Sequence, residues 1–342
     1  MSNHAQPSVN PFAAQQHHLR ERLRHFLAIL HPVLHVDVVT ALEAEGKLLS
    51  HAATSVDSPP AGLWPLLTLL VAQSISPDMN PICAGNVAVA VECFVCAIDL
   101  LDDVIDEDQT STLQALGVAR TLNVSTALLT LAQQAILSLS QQNVAPELIL
   151  RLLTTLQESA LMTTAGQHWD VLVEQRPAQS FTQEECIEIA AAKAGSIMRL
   201  ACRLGALCAG ADDVLCEQFS ELGELLGIAH QLDNDSHDLY YLLQGDTSAL
   251  GSAQAERNVK TDLVRGKKTL PVVLAANMPG ILQSSSSPAD EEKEGHLRAL
   301  QQGVITTWGI CLLYRERARD RLQEIEAQKP VAPLLHLLLG FE

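Results

Sequence analysis

The segment that decides the fold covers residues 96–108 and reads Cys96-Ala97-Ile98-Asp99-Leu100-Leu101-Asp102-Asp103-Val104-Ile105-Asp106-Glu107-Asp108. Residues three and four apart share a face of a helix, so four aspartates fall on one side, namely Asp99, Asp102, Asp103 and Asp106. Apolar side chains cover much of the rest. Like charges at this spacing repel, and carboxylates among apolar neighbours are poorly hydrated, so the pattern predicts a bound cation.

This acidic stripe indicates a magnesium site. Carboxylate oxygens suit a hard divalent ion, and magnesium keeps few protein ligands and usually shares its coordination with phosphate oxygens. The expected substrate therefore carries a phosphate or diphosphate. The alternative is a solvated acidic helix end, but such an end needs no apolar flanks on both sides.

Composition limits the classes of protein. The chain has 342 residues, of which 47% are hydrophobic, enough for one large helical domain or two smaller ones, and we favour one. It carries 22 Lys and Arg against 40 Asp and Glu, a formal charge of -18. Without a basic run, this balance argues against nucleic acid or an anionic membrane as partner and leaves cationic partners, including metals.

The cysteines and the N-terminus predict a cytoplasmic protein. Eight cysteines lie mostly in apolar helical sequence, typical of reduced, buried thiols, and Cys93-x-x-Cys96 lacks the second pair that zinc requires. The sequence shows no basic region followed by an apolar run, so we expect no signal peptide. The long apolar stretch 79–98 contains Pro81 and Glu92, which favours a core helix over an integral membrane segment.

The hydrophobic pattern is helical throughout. Period-2 runs do not persist, so we predict an all-α fold of about a dozen helices, with a flexible tail over residues 1–16 and a helical domain over 17–342. Helices are expected near 17–30, 36–53, 62–74, 83–107, 112–140, 145–165, 182–208, 213–243 and 258–277, with two more at the C-terminus. Thr182 and Glu185 predict a capping box, and residues 284–294 an exposed loop.

A second polar cluster lies inside another long helix and reads Gln231-Leu232-Asp233-Asn234-Asp235-Ser236-His237-Asp238. Asn234, Asp235 and Asp238 share a face with Gln231. Two such clusters on two helices can grip metal ions from opposite sides. Five cations could contact a diphosphate, although each alone would be read as a solvated surface residue. Four of them follow this cluster, namely Arg257, Lys260, Lys267 and Lys268, and Lys193 lies on a third helix.

Together these motifs resemble the trans-isoprenyl diphosphate synthase (polyprenyl synthetase) family. Residues 102–106 resemble its first aspartate-rich motif, DDxxD, and residues 231–238 resemble its second, with Asn234 where an aspartate is usual. Residues 257–263 and 266–271 resemble the stretch that follows. Gly166-Gln167 resembles the family's Gly-Gln pair, and Lys193-Ala194-Gly195 its Lys-Thr-Gly. The likeness runs in order from about residue 60 to 275.

The resemblance implies an all-α bundle around a central cavity, with three magnesium ions held by Asp102, Asp106 and Asp235. It also implies that an allylic prenyl diphosphate is ionised there, to give a carbocation in a water-poor pocket. We further expect a homodimer. Roles follow for the remaining candidates: Asp103 and Asp238 in catalysis; Lys193, Lys267 and Arg257 at the diphosphate; Gln231 and Gln167 near the cation; Ile98, Ala97 and Phe94 under the prenyl tail.

The chain departs from the family where isopentenyl diphosphate is bound. The family's Gly-Lys-Arg-x-Arg-Pro signature aligns with residues 60–65, which contain no cation, and its Arg-Arg-Gly after the first motif is missing. Lys47 reads as a solvated helical lysine, and the first arginine after the motif is Arg120. The leading hypothesis is therefore ionisation of a C15 or C20 allylic diphosphate, then cyclisation or transfer to an acceptor other than isopentenyl diphosphate. The alternatives are a chain-elongating synthase with a rebuilt acceptor site and a silent partner subunit.

Overall fold

The computed structural model describes residues 10–44, 47–50, 60–244, 267–278 and 289–341. These residues form α-helices, short 3-10 segments and one π-helical turn, with no strand among them, which confirms the all-α prediction. The twelve α-helices are α1 (Ala13–Leu27), α2 (Pro32–Leu42), α3 (Leu63–Ile75), α4 (Pro81–Ile105), α5 (Ser111–Leu137), α6 (Pro146–Val173), α7 (Gln183–Ala190), α8 (Ser196–Cys208), α9 (Asp213–Gln244), α10 (Leu270–Ala276), α11 (Ala289–Glu326) and α12 (Pro333–Leu339).

Helix α4 is the centre of the fold and carries the first acidic cluster. The Asn80 side chain accepts a hydrogen bond from the Ile82 amide at 2.9 Å, and Pro81 occupies the first helical position, so both features fix where α4 begins. The helix is apolar on nearly every face and packs against α1, α3, α5 and α8. The aspartates therefore lie at the C-terminal end of a largely buried helix.

The C-terminal end of α4 turns its last aspartate inward. The Asp108 amide donates to the Asp103 carbonyl at 2.9 Å and the Glu107 amide to the Val104 carbonyl at 3.4 Å, the pair of bonds that defines a Schellman cap. Glu107 adopts the left-handed conformation, φ 58°, that usually requires glycine. Asp106 is the last residue before this reversal and is only 4% exposed.

Two predicted boundaries near the N-terminus are wrong. Helix α1 begins at Ala13, and Phe12 and Gln16 are buried, so residues 10–16 are not a flexible tail. Helix α2 begins at Pro32, where the His31 side chain accepts from the Val33 amide, and ends at Leu42 instead of reaching residue 53. Lys47 therefore lies in a turn rather than in a helix.

Helices α6, α8 and α9 approach unusually closely around a π-helical turn at Ala191–Gly195. A Cβ added at Gly166 of α6 would lie 2.8 Å from the Ala192 Cβ, and one at Gly227 of α9 would lie 2.3 Å from the Ala194 carbonyl oxygen. Glycine is needed at both positions because the backbones themselves are in contact. The preceding helix, α7, begins with the predicted capping box of Thr182 and Glu185.

Two segments are long and apolar enough by composition to cross a membrane, Pro81–Ile105 and Ser111–Gln142. That is weak evidence, because a buried core helix meets the same criterion. In Pro81–Ile105, 83% of the apolar window is buried inside the fold. The apolar character of α4 is thus accounted for by packing against its neighbouring helices.

Candidate active site

A cavity of about 520 Å³ opens between five helices and the π-helical turn. Its size lies in the range of small-molecule sites, roughly 300–1,000 Å³. Its lining is mostly apolar, with polar groups converging on one end. The lining residues are Trp64 of α3; Ile98, Asp99, Leu101, Asp102 and Ile105 of α4; Thr163, Thr164, Gln167, His168 and Val171 of α6; Lys193 and Ala194 of the π-helical turn; Ile197 of α8; and His230, Gln231 and Asn234 of α9.

The first acidic cluster meets two lysines, Lys193 at this cavity and Lys267 at a smaller cavity beside it. Asp102 lies 3.4 Å from the Lys193 Nζ, and Asp106 accepts from the Lys267 Nζ at 2.7 Å and from the Gln167 Nε2 at 3.3 Å. Burial raises the pKa of Asp102 to about 6, and burial with the nearby Asp99 charge raises the pKa of Asp103 to about 7. Carboxylates whose ionisation is this costly indicate a site that binds positive charge.

The second cluster lies beside the first. Asp235 accepts from the Gln231 Nε2 at 3.0 Å, and burial raises its pKa to about 6. It lines a smaller cavity with Lys193, Lys267 and Lys268, and the two cavities share Lys193 and Gln231. The structure thus brings together the predicted residues of both motifs. The Asp238 side chain and Arg257 lie outside the described residues.

Asp170 is a site residue that the sequence reasoning missed. It lies on α6, three residues after Gln167, and accepts from the Lys193 Nζ at 2.9 Å. Although burial lowers the pKa of Lys193, Asp102 and Asp170 raise it by a larger amount, so this lysine stays charged. The sequence did contain a signal for Asp170, because residues three apart share a helix face and Gln167 was already a candidate.

Only one of the three residues predicted under the prenyl tail contacts the cavity. Ile98 lines it, together with Leu101. Ala97 and Phe94 are buried in the hydrophobic core and are absent from the described lining, so the prediction for these two is wrong for this cavity. The physical reason is that α4 is buried on nearly all sides, and helical periodicity alone does not say which side borders empty space.

Lys47 is not the solvated lysine that the sequence suggested. Its side chain is 13% exposed and forms an ion pair with Asp99, which lines the cavity, and its neighbour Leu48 donates its amide to Glu92 in the middle of α4. Burial lowers the pKa of Lys47, but the charges of Asp99 and Glu92 more than compensate, so the pKa is raised overall. Arg120 instead pairs with Asp37 of α2 and does not line the cavity among the described residues.

The donor groups fit magnesium that shares its coordination with phosphate. Asp102, Asp106 and Asp235 offer only carboxylate oxygens, and the buried Gln167 Oε1 beside Asp106 has no hydrogen-bond partner in the described part of the chain. The same part contains no group of three or more His, Cys, Asp or Glu side chains placed to hold an ion by themselves. The lysines paired with Asp102 and Asp106 are suited to the phosphate oxygens.

Comparison with known proteins places the chain among prenyl-transferring enzymes. A sequence model described as polyprenyl synthetase matches residues 47–302. The chain is 26% identical over 291 residues to the geranylfarnesyl diphosphate synthase of Aeropyrum pernix, covering 82% of this chain and 88% of that one. It is 33% identical over 155 residues to the tryptophan prenyltransferase ComQ of Bacillus subtilis subsp. natto, covering 45% of each. A solved geranylgeranyl pyrophosphate synthetase from Geoglobus acetivorans shares the fold, with a TM-score of 0.72, 20% identity and coverage of 96% of this chain and 95% of that one.

Proposed function

Because this chain belongs to the polyprenyl synthetase family, we propose that it is a prenyltransferase that ionises an allylic diphosphate and passes the prenyl group to an acceptor without a diphosphate. The relative that aligns over most of the chain is named a prenyl diphosphate synthase, which supports prenyl transfer in general. The choice of acceptor is the finer part of the proposal. It depends on where the cations of the site lie.

The diphosphate end of the cavity supports the ionising step. Asp102, Asp106 and Asp235 would hold magnesium, which when bound neutralises charge on the leaving diphosphate. Lys193 and Lys267 would bind the phosphate oxygens and stabilise the same charge. The C–O bond of the allylic diphosphate then breaks, and both electrons stay on the diphosphate oxygen.

The apolar part of the cavity would protect the prenyl cation formed by this step. Ile98 and Leu101 line it and would limit the access of water to the cation. The Gln231 side chain lies between Asp235 and the cavity, where its amide dipole would stabilise positive charge on the prenyl group.

One observation carries the choice of acceptor: Lys193 is the one lysine or arginine among the described residues that line the large cavity. Lys193 already contacts Asp102 and Asp170 and belongs to the leaving diphosphate. A second diphosphate would bring about three more negative charges to this acidic site, and each cation within about 4 Å is worth roughly 4 kcal/mol of raw Coulomb attraction. Trp64 and His230 instead border the cavity where an acceptor would lie, and the relative ComQ is named for an acceptor without a diphosphate.

Chain elongation with isopentenyl diphosphate is the second candidate. Lys47 forms an ion pair with Asp99, and the relatives with the longest alignments are named prenyl diphosphate synthases. Elongation would require Lys47 to leave Asp99 and bind the second diphosphate. Cyclisation of the same cation is a further outcome, since it needs no acceptor.

The deciding experiment supplies C10, C15 and C20 allylic diphosphates with magnesium, with and without isopentenyl diphosphate, and then with indole as a neutral acceptor. Diphosphate release and mass spectrometry of the organic extract are the readouts. We expect magnesium-dependent release without elongation, and a prenylated indole in the last arm. A next-longer prenyl diphosphate formed at the rate of total turnover would refute the proposal, and absence of any release would indicate a silent partner subunit.

We also propose the finer features that the family implies: three magnesium ions, a C15 or C20 substrate, a homodimer and a cytoplasmic location. The cavity volume supports the substrate size. Eight free cysteines, seven of them buried, support a reducing compartment.

A further inference from the structure

His230 occupies a distinctive position in the cavity. It lies on α9, one turn before Asn234 and five residues before Asp235, and it lines the cavity that Asp102 and Lys193 also line. Its ring meets Trp64 edge-on, with ring centroids 5.7 Å apart and planes at 79°. The Asn234 amide nitrogen lies 3.5 Å from its Nε2. The proposed function places this imidazole beside the acceptor but gives it no chemical role.

The surroundings keep the imidazole available as a base. Burial lowers the pKa of His230, and the two charges that oppose this effect are Asp233 on the same helix and Asp99 on α4. Asp99 is itself paired with Lys47. A histidine whose pKa lies below its ordinary value of about 6.5 is neutral at pH 7 and can accept a proton.

We propose that His230 is the base that accepts the proton released when the prenyl cation becomes a neutral product, which rests on the proposed function. With a neutral N–H acceptor, the nitrogen lone pair forms the new C–N bond to the cation. The N–H bond then breaks, its electrons stay on nitrogen, and the proton passes to the unprotonated ring nitrogen of His230. Without an acceptor, a C–H bond beside the cation breaks, its electrons form a C=C bond, and the proton goes to the same ring nitrogen.

Few other groups in the cavity can serve this purpose. Among the described lining residues, Asp102 and Asp99 are engaged by Lys193 and Lys47, and the amides of Gln167, Gln231 and Asn234 are not bases. His168 is the other histidine that lines the cavity, but it is exposed on α6. The competing base is an oxygen of the released diphosphate.

The test compares His230→Gln and His230→Phe with His17→Gln, at an exposed position on α1, as the matched control, using farnesyl diphosphate and magnesium, with and without indole. The readouts are diphosphate release and the ratio of deprotonated or prenylated product to farnesol. We expect both His230 variants to release diphosphate within about threefold of the unaltered protein, while this ratio falls at least about tenfold, as for loss of a general base. His17→Gln should retain the ratio. His230→Phe keeps a ring against Trp64, so it separates loss of the base from loss of packing.

A pH series adds a readout that a structural role would not move. In the unaltered protein the ratio should fall as pH drops through the pKa of His230, whereas in both His230 variants it should be flat. Diphosphate release with an unchanged ratio in both variants would overturn the assignment of the base and leave the proposed function intact. Absence of release from the unaltered protein would refute both.

Discussion

At the scale of single residues, the site is a set of buried charges that compensate one another. Lys193 lies between Asp102 and Asp170, and Lys267 contacts Asp106. Burying any of these ions alone would be costly, and removing one partner from such a pair typically costs about 3–5 kcal/mol. These charged groups therefore stabilise one another, and they are the same groups that the substrate and metal are expected to contact.

Asp102→Ala should abolish useful turnover. Removing one carboxylate from a metal clamp that stabilises the departing diphosphate costs several kcal/mol, so we expect diphosphate release to fall about a thousandfold or more. Glu107→Gln, an exposed acidic position five residues away, is the control and should stay within about twofold. Near-normal turnover of Asp102→Ala would show that the metal lies elsewhere.

Glu92→Gln should change the pH dependence of stability. Burial raises the pKa of Glu92 to about 7 in the folded protein, against an ordinary value of 4.5, although Lys47 and the Leu48 amide act in the opposite direction. The folded state therefore holds this proton more tightly, and the stabilisation is full below pH 4.5 and is lost as pH rises through 7. Urea unfolding at pH 5 and pH 8 measures the free energy of unfolding of both proteins. The difference between them should shift in favour of the variant as pH rises. The exposed Glu158→Gln should show no such trend, and parallel curves for both variants would contradict the prediction.

The sequence located most of the charged residues of the site but not how they pair. Acidic spacing grouped Asp102 with Asp106 on one helix face and Asp235 with Gln231 on another, because helix geometry fixes which side chains share a face, and the family resemblance then implied that the three aspartates hold magnesium. Lys47 was misread because its partner Asp99 lies 52 positions away, and a lone lysine in a sequence carries no sign of such a contact. Asp170 was missed although it follows Gln167 on one face of α6.

At the scale of elements, the geometry of α4 decides which residues limit the prenyl tail. Ile98 borders the cavity, whereas its neighbour Ala97 is fully buried in the core. Spacing carried part of this distinction, because Ile98 lies four residues before Asp102 and shares its face, whereas Ala97 lies five residues before it. The end of α2 was misplaced because no glycine or proline marks the stop after Leu42.

Ile98→Phe should shift substrate preference towards shorter chains. The larger side chain would occupy part of the cavity, so the specificity constant for C20 should fall relative to C10 by about tenfold, as expected for steric rejection in an apolar pocket. Competition between C10, C15 and C20 allylic diphosphates measures this change. Ala97→Phe is the paired variant, and we expect it to destabilise the core by about 1–3 kcal/mol without a specific change in chain length. A shift confined to Ala97→Phe would refute the assignment.

Gly227→Ala should disrupt the contact between α9 and the π-helical turn. The added methyl would lie 2.3 Å from the Ala194 carbonyl oxygen, so the helices must move apart, and the lysine of that turn would move with them. We expect a loss of about 2–3 kcal/mol in the free energy of unfolding. Gly309→Ala on α11, where nothing lies within 4 Å of the added methyl, should instead gain up to about 1 kcal/mol. Chemical denaturation of the two variants measures the difference.

At the scale of the whole molecule, several helices leave large apolar side chains exposed. Leu161 and Met162 on α6 are 74% and 54% exposed, and Leu313 on α11 is 60% exposed. Single exposed apolar residues are normal, whereas adjacent ones are typical of interaction surfaces. The family assignment followed from motif order and spacing, but the sequence says little about such surfaces, because exposure depends on how distant helices pack.

Light scattering should find a homodimer, with about twice the monomer mass of 36.9 kDa. Leu161→Arg on α6 should shift it to the monomer if α6 is in the interface, because an unpaired charge buried there is costly. Leu313→Arg on α11 is the control and should leave the mass unchanged. A monomeric mass for the unaltered protein at micromolar concentration would contradict the homodimer.

The ion pairs between lysines and aspartates also couple the binding of magnesium to the binding of the diphosphate. Magnesium alone would compete with Lys193 for Asp102 and with Lys267 for Asp106, and diphosphate alone would compete with the same carboxylates for the two lysines. When magnesium and diphosphate bind together, each lysine–aspartate pair can separate, because the aspartates then contact magnesium and the lysines contact the phosphate oxygens. Their affinities are therefore coupled, and each strengthens the other by the same factor. We therefore expect the cavity to select the magnesium–diphosphate complex, and saturation curves should follow the concentration of that complex and not the total concentration of either ligand.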